Sequence, residues 1–162
     1  MTYLDPVFHY GYEAFCERCQ DVGIDGIIIP DLPFEEKEEV DVVAGNYGID
    51  LISMIAPTSK ERIRKIAKGA KGFLYVVSSM GVTGERTNIT ADIAGLLKAI
   101  RGVRNVPAAV GFGIPTPRQA AELSSTADGV IAGPAAIKLI AQYGTHAGGH
   151  LSTYVGRLHV AV

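Results

Sequence analysis

The stretch VPAAVGFGIPTP at residues 106–117, followed by DGVIAGPAAIK at 128–138, decides how this chain is read. Each begins as an apolar run of strand length and ends in glycine just before a segment of helical character. Gly111 and Gly113 flank Phe112 where a buried strand would end. Thr116 and Pro117 follow as an N-cap and a proline at the first helical position. Gly133 repeats the arrangement one unit later. Glycine lets backbone N–H groups come close to a ligand, and a helix N-terminus favours an anion. Two such turns on consecutive strand–helix units predict a phosphate clamp of the kind found after the last two strands of (β/α)8 barrels.

Outward from this stretch the same alternation recurs. Residues 1–3 (MTY) lean toward β structure and read as the end of a strand, which Asp5-Pro6 breaks. Residues 12–22 (YEAFCERCQDV) carry Phe15, Cys19 and Val22 at helical spacing, and Gly23 fits the C-cap. GIII at 26–29 reads as a buried strand ending in PDLP. An acid-rich first turn then opens a helix over 35–47. A strand at 50–55 leads to Thr58 and Ser59, which can cap a helix running to Lys68. Residues 73–77 form another strand, followed by the loop SSMGVTGERTN and a helix over 90–101. A last amphipathic helix carries Leu151, Tyr154, Val155 and Leu158.

Strand starts thus fall near 26, 50, 73, 107 and 128. Apolar strands alternating with helices predict an α/β fold with a parallel sheet covered by helices. The architecture expected is a single domain over 1–162: a partial (β/α)8 TIM barrel of five β/α units plus an N-terminal strand stub. A closed barrel has eight units and about 250 residues. A partial one would keep two open sheet edges, which invite self-association.

At 162 residues and 48% apolar, the chain can bury one core. A net charge of -2 gives no electrostatic case for nucleic acid or acidic membrane lipid. No apolar run reaches bilayer length, and no basic segment precedes an apolar one at the start as in a secretion signal. With two cysteines, this points to a reducing, cytoplasmic setting.

Laid out this way, the chain resembles the α subunit of tryptophan synthase from Met1 to about Gly144. The matching pieces are TYLDP, DGIIIPDLPFEE (25–36), IAPTSKERI (55–63), FLYVVSSMGVTGER (73–86), VGFGI (110–114) and GVIAG (129–133). The resemblance implies cleavage of indole-3-glycerol phosphate to indole and glyceraldehyde 3-phosphate, with no cofactor or metal in this subunit and a β subunit as partner. It implies phosphate-binding turns at 81–85, 111–114 and 131–135, with backbone contacts at Gly84, Gly113 and Gly133. Tyr3, Ile27, Ile55, Tyr75, Thr83 and Phe112 would line the indole pocket. Asp31 would stand near the reacting centre, its loop facing the β partner. The family's general acid–base carboxylates correspond to positions before residue 1, so catalytic residues are not expected among these 162. Acid–base chemistry needs a group within hydrogen-bond reach of the proton it moves. The family's usual serine after the last phosphate glycine is replaced by Pro134, which has neither N–H nor hydroxyl.

Plainer roles stand beside these. Asp31 can hold its loop by accepting backbone N–H bonds. Glu35 and Glu36 read as first-turn helix residues rather than catalysts. Cys16 and Cys19 form a C-x-x-C inside a predicted helix, with Cys19 packed and Cys16 more exposed. His146, His150 and His159 fall on a surface helix or tail rather than at a metal. Two further functions are compatible with the sequence. One is a non-catalytic partial barrel that binds phosphate or self-associates. The other is a different phosphate-binding TIM-barrel enzyme.

Overall fold

The computed structural model describes residues 1–57, 59–77, 89–103, 106–111, 121 and 126–161. Two helices open the chain, α1 (Leu4–Tyr10) and α2 (Tyr12–Asp21), joined by Gly11 alone. Gly11 has φ 91° and donates to the carbonyls of Val7 and Phe8, a turn that only glycine makes without strain. Then follow β1 (Gly26–Ile27), α3 (Glu38–Asn46), β2 (Asp50–Leu51), β3 (Ser53–Ile55), α4 (Lys60–Lys68), β4 (Leu74–Val77) and α5 (Ile89–Arg101). The chain continues through β5 (Ala108–Gly111), β6 (Gly129–Ile131), α6 (Gly133–Tyr143), a 3-10 turn (Gly144–His146) and α7 (Ala147–Ala161).

All pairings among the described residues are parallel. One ladder joins β1 to β2, and the other runs β3-β4-β5-β6. Residues 50–55 belong to both: the first half pairs with β1, and Ile52 donates to the Ile27 carbonyl at 2.9 Å. The second half pairs with β4. This stagger is what the tilted strands of a barrel require. Asp128 fastens the start of β5, where its Oδ2 accepts the Ala108 N–H at 2.9 Å and Arg101 stands 3.6 Å from Oδ1.

The core lies between sheet and helices, in two clusters. Val7, Cys16, Cys19, Ile27, Val40, Ala44 and Leu51 pack α1–α3 against β1 and β2. Ile55, Ile63, Ile66, Leu74, Val76, Leu97, Ile100 and Val110 pack α4 and α5 against β3–β5. Ile63, Ile66 and Ala67 are neighbours on one face of α4. Burying each isoleucine there contributes about 1.5–3 kcal/mol. Ser59 caps this helix, its Oγ accepting the Arg62 N–H at 3.3 Å, while Thr58 lies outside the described residues. Burial alternates along β3, β4 and β5. The alternate residues Met54, Tyr75, Val77, Ala109 and Gly111 share the opposite, half-buried face.

Three local expectations are corrected. Residues 1–3 form no assigned strand, although Thr2 donates to the Ile28 carbonyl at 3.0 Å beside β1. Asp5-Pro6 does not break the chain but lies in the first turn of α1, where proline is tolerated. The helix expected from Glu35 begins at Glu38, after a turn over 34–37.

Candidate functional site

β1 delivers the segment Pro30-Asp31-Leu32-Pro33-Phe34 to the C-terminal rim of the sheet. This segment lines a cleft of about 470 Å³ together with Ile52, Ser53, Met54, Ala56, Pro57, Arg62, Ile66 and Val77. Such a volume suits a small organic ligand, and the lining is apolar with a few polar groups. Leu32 packs on the first core cluster and Phe34 on the second, so the segment bridges the two. The ammonium groups of Lys37 and Lys65 lie 5.1 and 5.7 Å from the centre of the Phe34 ring.

Both carboxylate oxygens of Asp31 accept the Leu4 N–H, at 3.0 and 3.2 Å. Tyr3, the residue at the N-cap of α1, makes no side-chain cap bond. Asp31 therefore caps α1 from 27 residues away and places a negative charge at its positive end. The carboxylate accepts a backbone N–H at the start of a helix rather than within its own loop. Glu35 forms a fork with Arg62, Oε1 to Nη1 at 2.9 Å and Oε2 to Nη2 at 3.1 Å. Its carboxyl is held below the usual glutamate range, first by its own backbone N–H and then by Arg62.

Tyr75 lies on the half-buried face, in register with Met54 and Ala109. Its ring rests against Gly111, where an added Cβ would come within 2.6 Å of the hydroxyl and 2.7 Å of Cε1. Glycine at 111 is thus needed to admit the ring, whatever the following turn does. Farther along the same rim, Gly133 and Pro134 are exposed in the first turn of α6. The first turn of a helix presents unbonded N–H groups, and here Pro134 removes one of them.

Thr83, Gly84, Phe112 and Gly113 lie outside the described residues. Of the three expected phosphate turns, only 131–135 is described in full. Tyr3 is 65% exposed beside the Asp31 loop. Ile27 and Ile55 are buried in the helix-facing clusters and do not line the cleft. Met54, Val77, Pro57 and Arg62 line it instead. For one of these a signal existed: Val77 is two residues from Tyr75 and so shares its strand face.

Cys16 and Cys19 are free thiols, both buried, and Cys16 is the more enclosed at 0% exposed, the reverse of the expectation. Burial is the first cause raising both thiol pKa values, which keeps them protonated and poorly nucleophilic. Among the described residues no group of side chains could hold a metal. His150 stacks on Tyr143 with ring centres 3.6 Å apart, joining α7 to α6. None of the described helices is long and apolar enough to cross a membrane.

The Tyr75–Gly111 contact makes a direct prediction. Gly111→Ala should cost about 1–3 kcal/mol in urea unfolding, because the ring must leave its place. In a Tyr75→Ala background the same change should cost much less. Equal costs in both backgrounds would show that the contact does not form.

Comparison with known proteins bears on the whole chain. A family model described as tryptophan synthase alpha chain matches residues 1–156, so the likeness runs past Gly144 and through most of α7. The tryptophan synthase alpha chain of Lacticaseibacillus casei is 49% identical over 162 residues, which are 100% of this chain and 61% of that protein. Tryptophan synthase subunit alpha from Campylobacter jejuni matches in structure with a TM-score of 0.85 and 33% identity, over 96% of this chain and 62% of that one. A Pyrococcus furiosus structure, described as the basis of mutual activation of the tryptophan synthase α2β2 complex, matches with a TM-score of 0.83 and 30% identity. It covers 99% of this chain and 63% of that one. The chain therefore spans less than two thirds of the length of these relatives, and its five parallel strand positions are part of a TIM barrel. These 162 residues belong to the tryptophan synthase alpha chain family.

Proposed function

We propose that this chain forms the substrate-holding part of a lyase that cleaves indole-3-glycerol phosphate to indole and glyceraldehyde 3-phosphate. The observation that carries the reading is that the cleft, lined by the segments after β1 and β3, and the Gly133 turn, after β6, both follow the C-terminal ends of parallel strands. The apolar cleft suits an indole ring, with Tyr75 on the same sheet face. The α6 N-terminus suits the phosphate. Gly84 and Gly113 are assigned by family likeness to the same phosphate, and Thr83 and Phe112 to the indole.

Asp31 acts here by position: its carboxylate is committed to the Leu4 N–H, so it holds the rim rather than moving protons. Proton transfer falls to the family's carboxylate pair, which has no counterpart among residues 1–162. The 162 residues would then bind substrate without turning it over. The Asp31 loop and α1 are the face we assign to a β subunit, on the strength of the α2β2 relative. We place the reaction in the cytoplasm, with no cofactor in this chain.

Calorimetric titration with indole-3-propanol phosphate, which cannot be cleaved, should show saturable binding displaced by inorganic phosphate. Pro134→Ser restores a hydroxyl and an N–H, each able to bond an anion. A hydrogen bond to a charged group is worth about 1.5–3 kcal/mol, so affinity should rise about tenfold or more. Failure of the wild-type chain to bind would contradict the reading.

A second reading is favoured by the sheet ends. Among the described pairings, β1 and β6 each bond on one side only. Tyr10, Val22 and Ile24 are exposed near the first, and Ile137 and Ile140 on the helix after the second. Self-association through these edges predicts sedimentation well above the 17.2 kDa of one chain. A monomer at high concentration would contradict it.

A further inference from the structure

We infer that the Glu35–Arg62 pair is a clasp beside the cleft, which Arg62 lines, and that both side chains are positioning residues for the aromatic phosphate the cleft takes. The inference deepens the reading of the cleft given above and rests on it. Residues 30–34 are tied at two points. Asp31 holds one end to the start of α1, and Glu35 holds the other to α4. Between the ties, Leu32 and Phe34 reach into different core clusters. The segment has no sheet partner of its own among the described residues, so these ties fix where it stands over Met54 and Val77.

Most exposed ion pairs contribute little. Three features set this one apart. Its geometry is a two-bond fork, which a guanidinium makes with a carboxylate and an ammonium cannot. It joins residues 27 apart in sequence that belong to successive β/α units. And Arg62 stands in the first turn of α4, where the helix dipole disfavours a cation, with its backbone held by the Ser59 cap. A residue that breaks a local rule while lining a cleft points to a role beyond its own helix. Lys65 also acts on Glu35 through its charge, but the two hydrogen bonds to the carboxylate come from Arg62.

Amide hydrogen exchange and ligand titration on the 162-residue chain separate the possibilities. Arg62→Ala should speed exchange at Leu32 and Glu36, whose N–H groups donate to the Ile29 and Pro33 carbonyls, about tenfold or more, leaving β4 and β5 unchanged. It should also weaken indole-3-propanol phosphate binding by about tenfold. The reversed pair, Glu35→Arg with Arg62→Glu, should recover most of both losses, whereas Arg62→Lys, without the fork, should recover little. Unchanged exchange in Arg62→Ala, or no recovery in the reversed pair, overturns the clasp. Faster exchange with undiminished affinity overturns the positioning role. Absence of binding by the wild-type chain overturns the cleft reading instead, and exchange alone then decides the clasp.

Discussion

The register of the parallel ladder is the constraint on which the rest of this structure depends. Ser53 lies beside Leu74 and Leu74 beside Ala108, while Ile55, Val76 and Val110 form the next row. Side chains in a strand alternate between faces, so fixing one row fixes every residue on both faces. The helix-facing rows are buried under α4 and α5. Because the strands are parallel, their C-terminal ends and the loops that follow meet at one rim. A slip of one residue would turn Tyr75 and Met54 into the core and Leu74 and Val76 out of it.

The rim itself is held by electrostatics rather than by sheet. The loop after β1 is bound by carboxylates facing two different helices, one on a backbone N–H and one on a guanidinium. Neither tie is deeply buried, so each is weak by itself. Their effect comes from sharing a segment whose apolar residues already sit in two cores. The chain uses acids here to shape a cleft.

Much of this was legible in the sequence because strand and helix periods differ. Strands were expected near 26, 50, 73, 107 and 128 and begin at Gly26, Asp50, Leu74, Ala108 and Gly129. The family likeness, read from PDLP, GVTG and GFGI, also holds. What was not legible depends on partners distant in sequence. α1 was missed because its cap is Asp31, far down the chain, and no local pattern announces that. The start of α3 moved because Glu35 turns aside to Arg62. The enclosure of Cys16 follows from α1 packing over α2, and so was hidden with it. Ile27 and Ile55 were expected in the pocket by likeness, and this chain buries both in its two core clusters, away from the cleft lining.

The central claim is that the ligand sits at the C-terminal rim, between the Asp31 loop and the first turn of α6. Amide NMR of the labelled chain with indole-3-propanol phosphate added tests it most directly. The account predicts the largest shifts at Gly133, Phe34, Met54 and Val77. Shifts confined to the opposite ends of the strands, at Asp50 and Gly72, or to the surface around Tyr10 and Ile24, would contradict it.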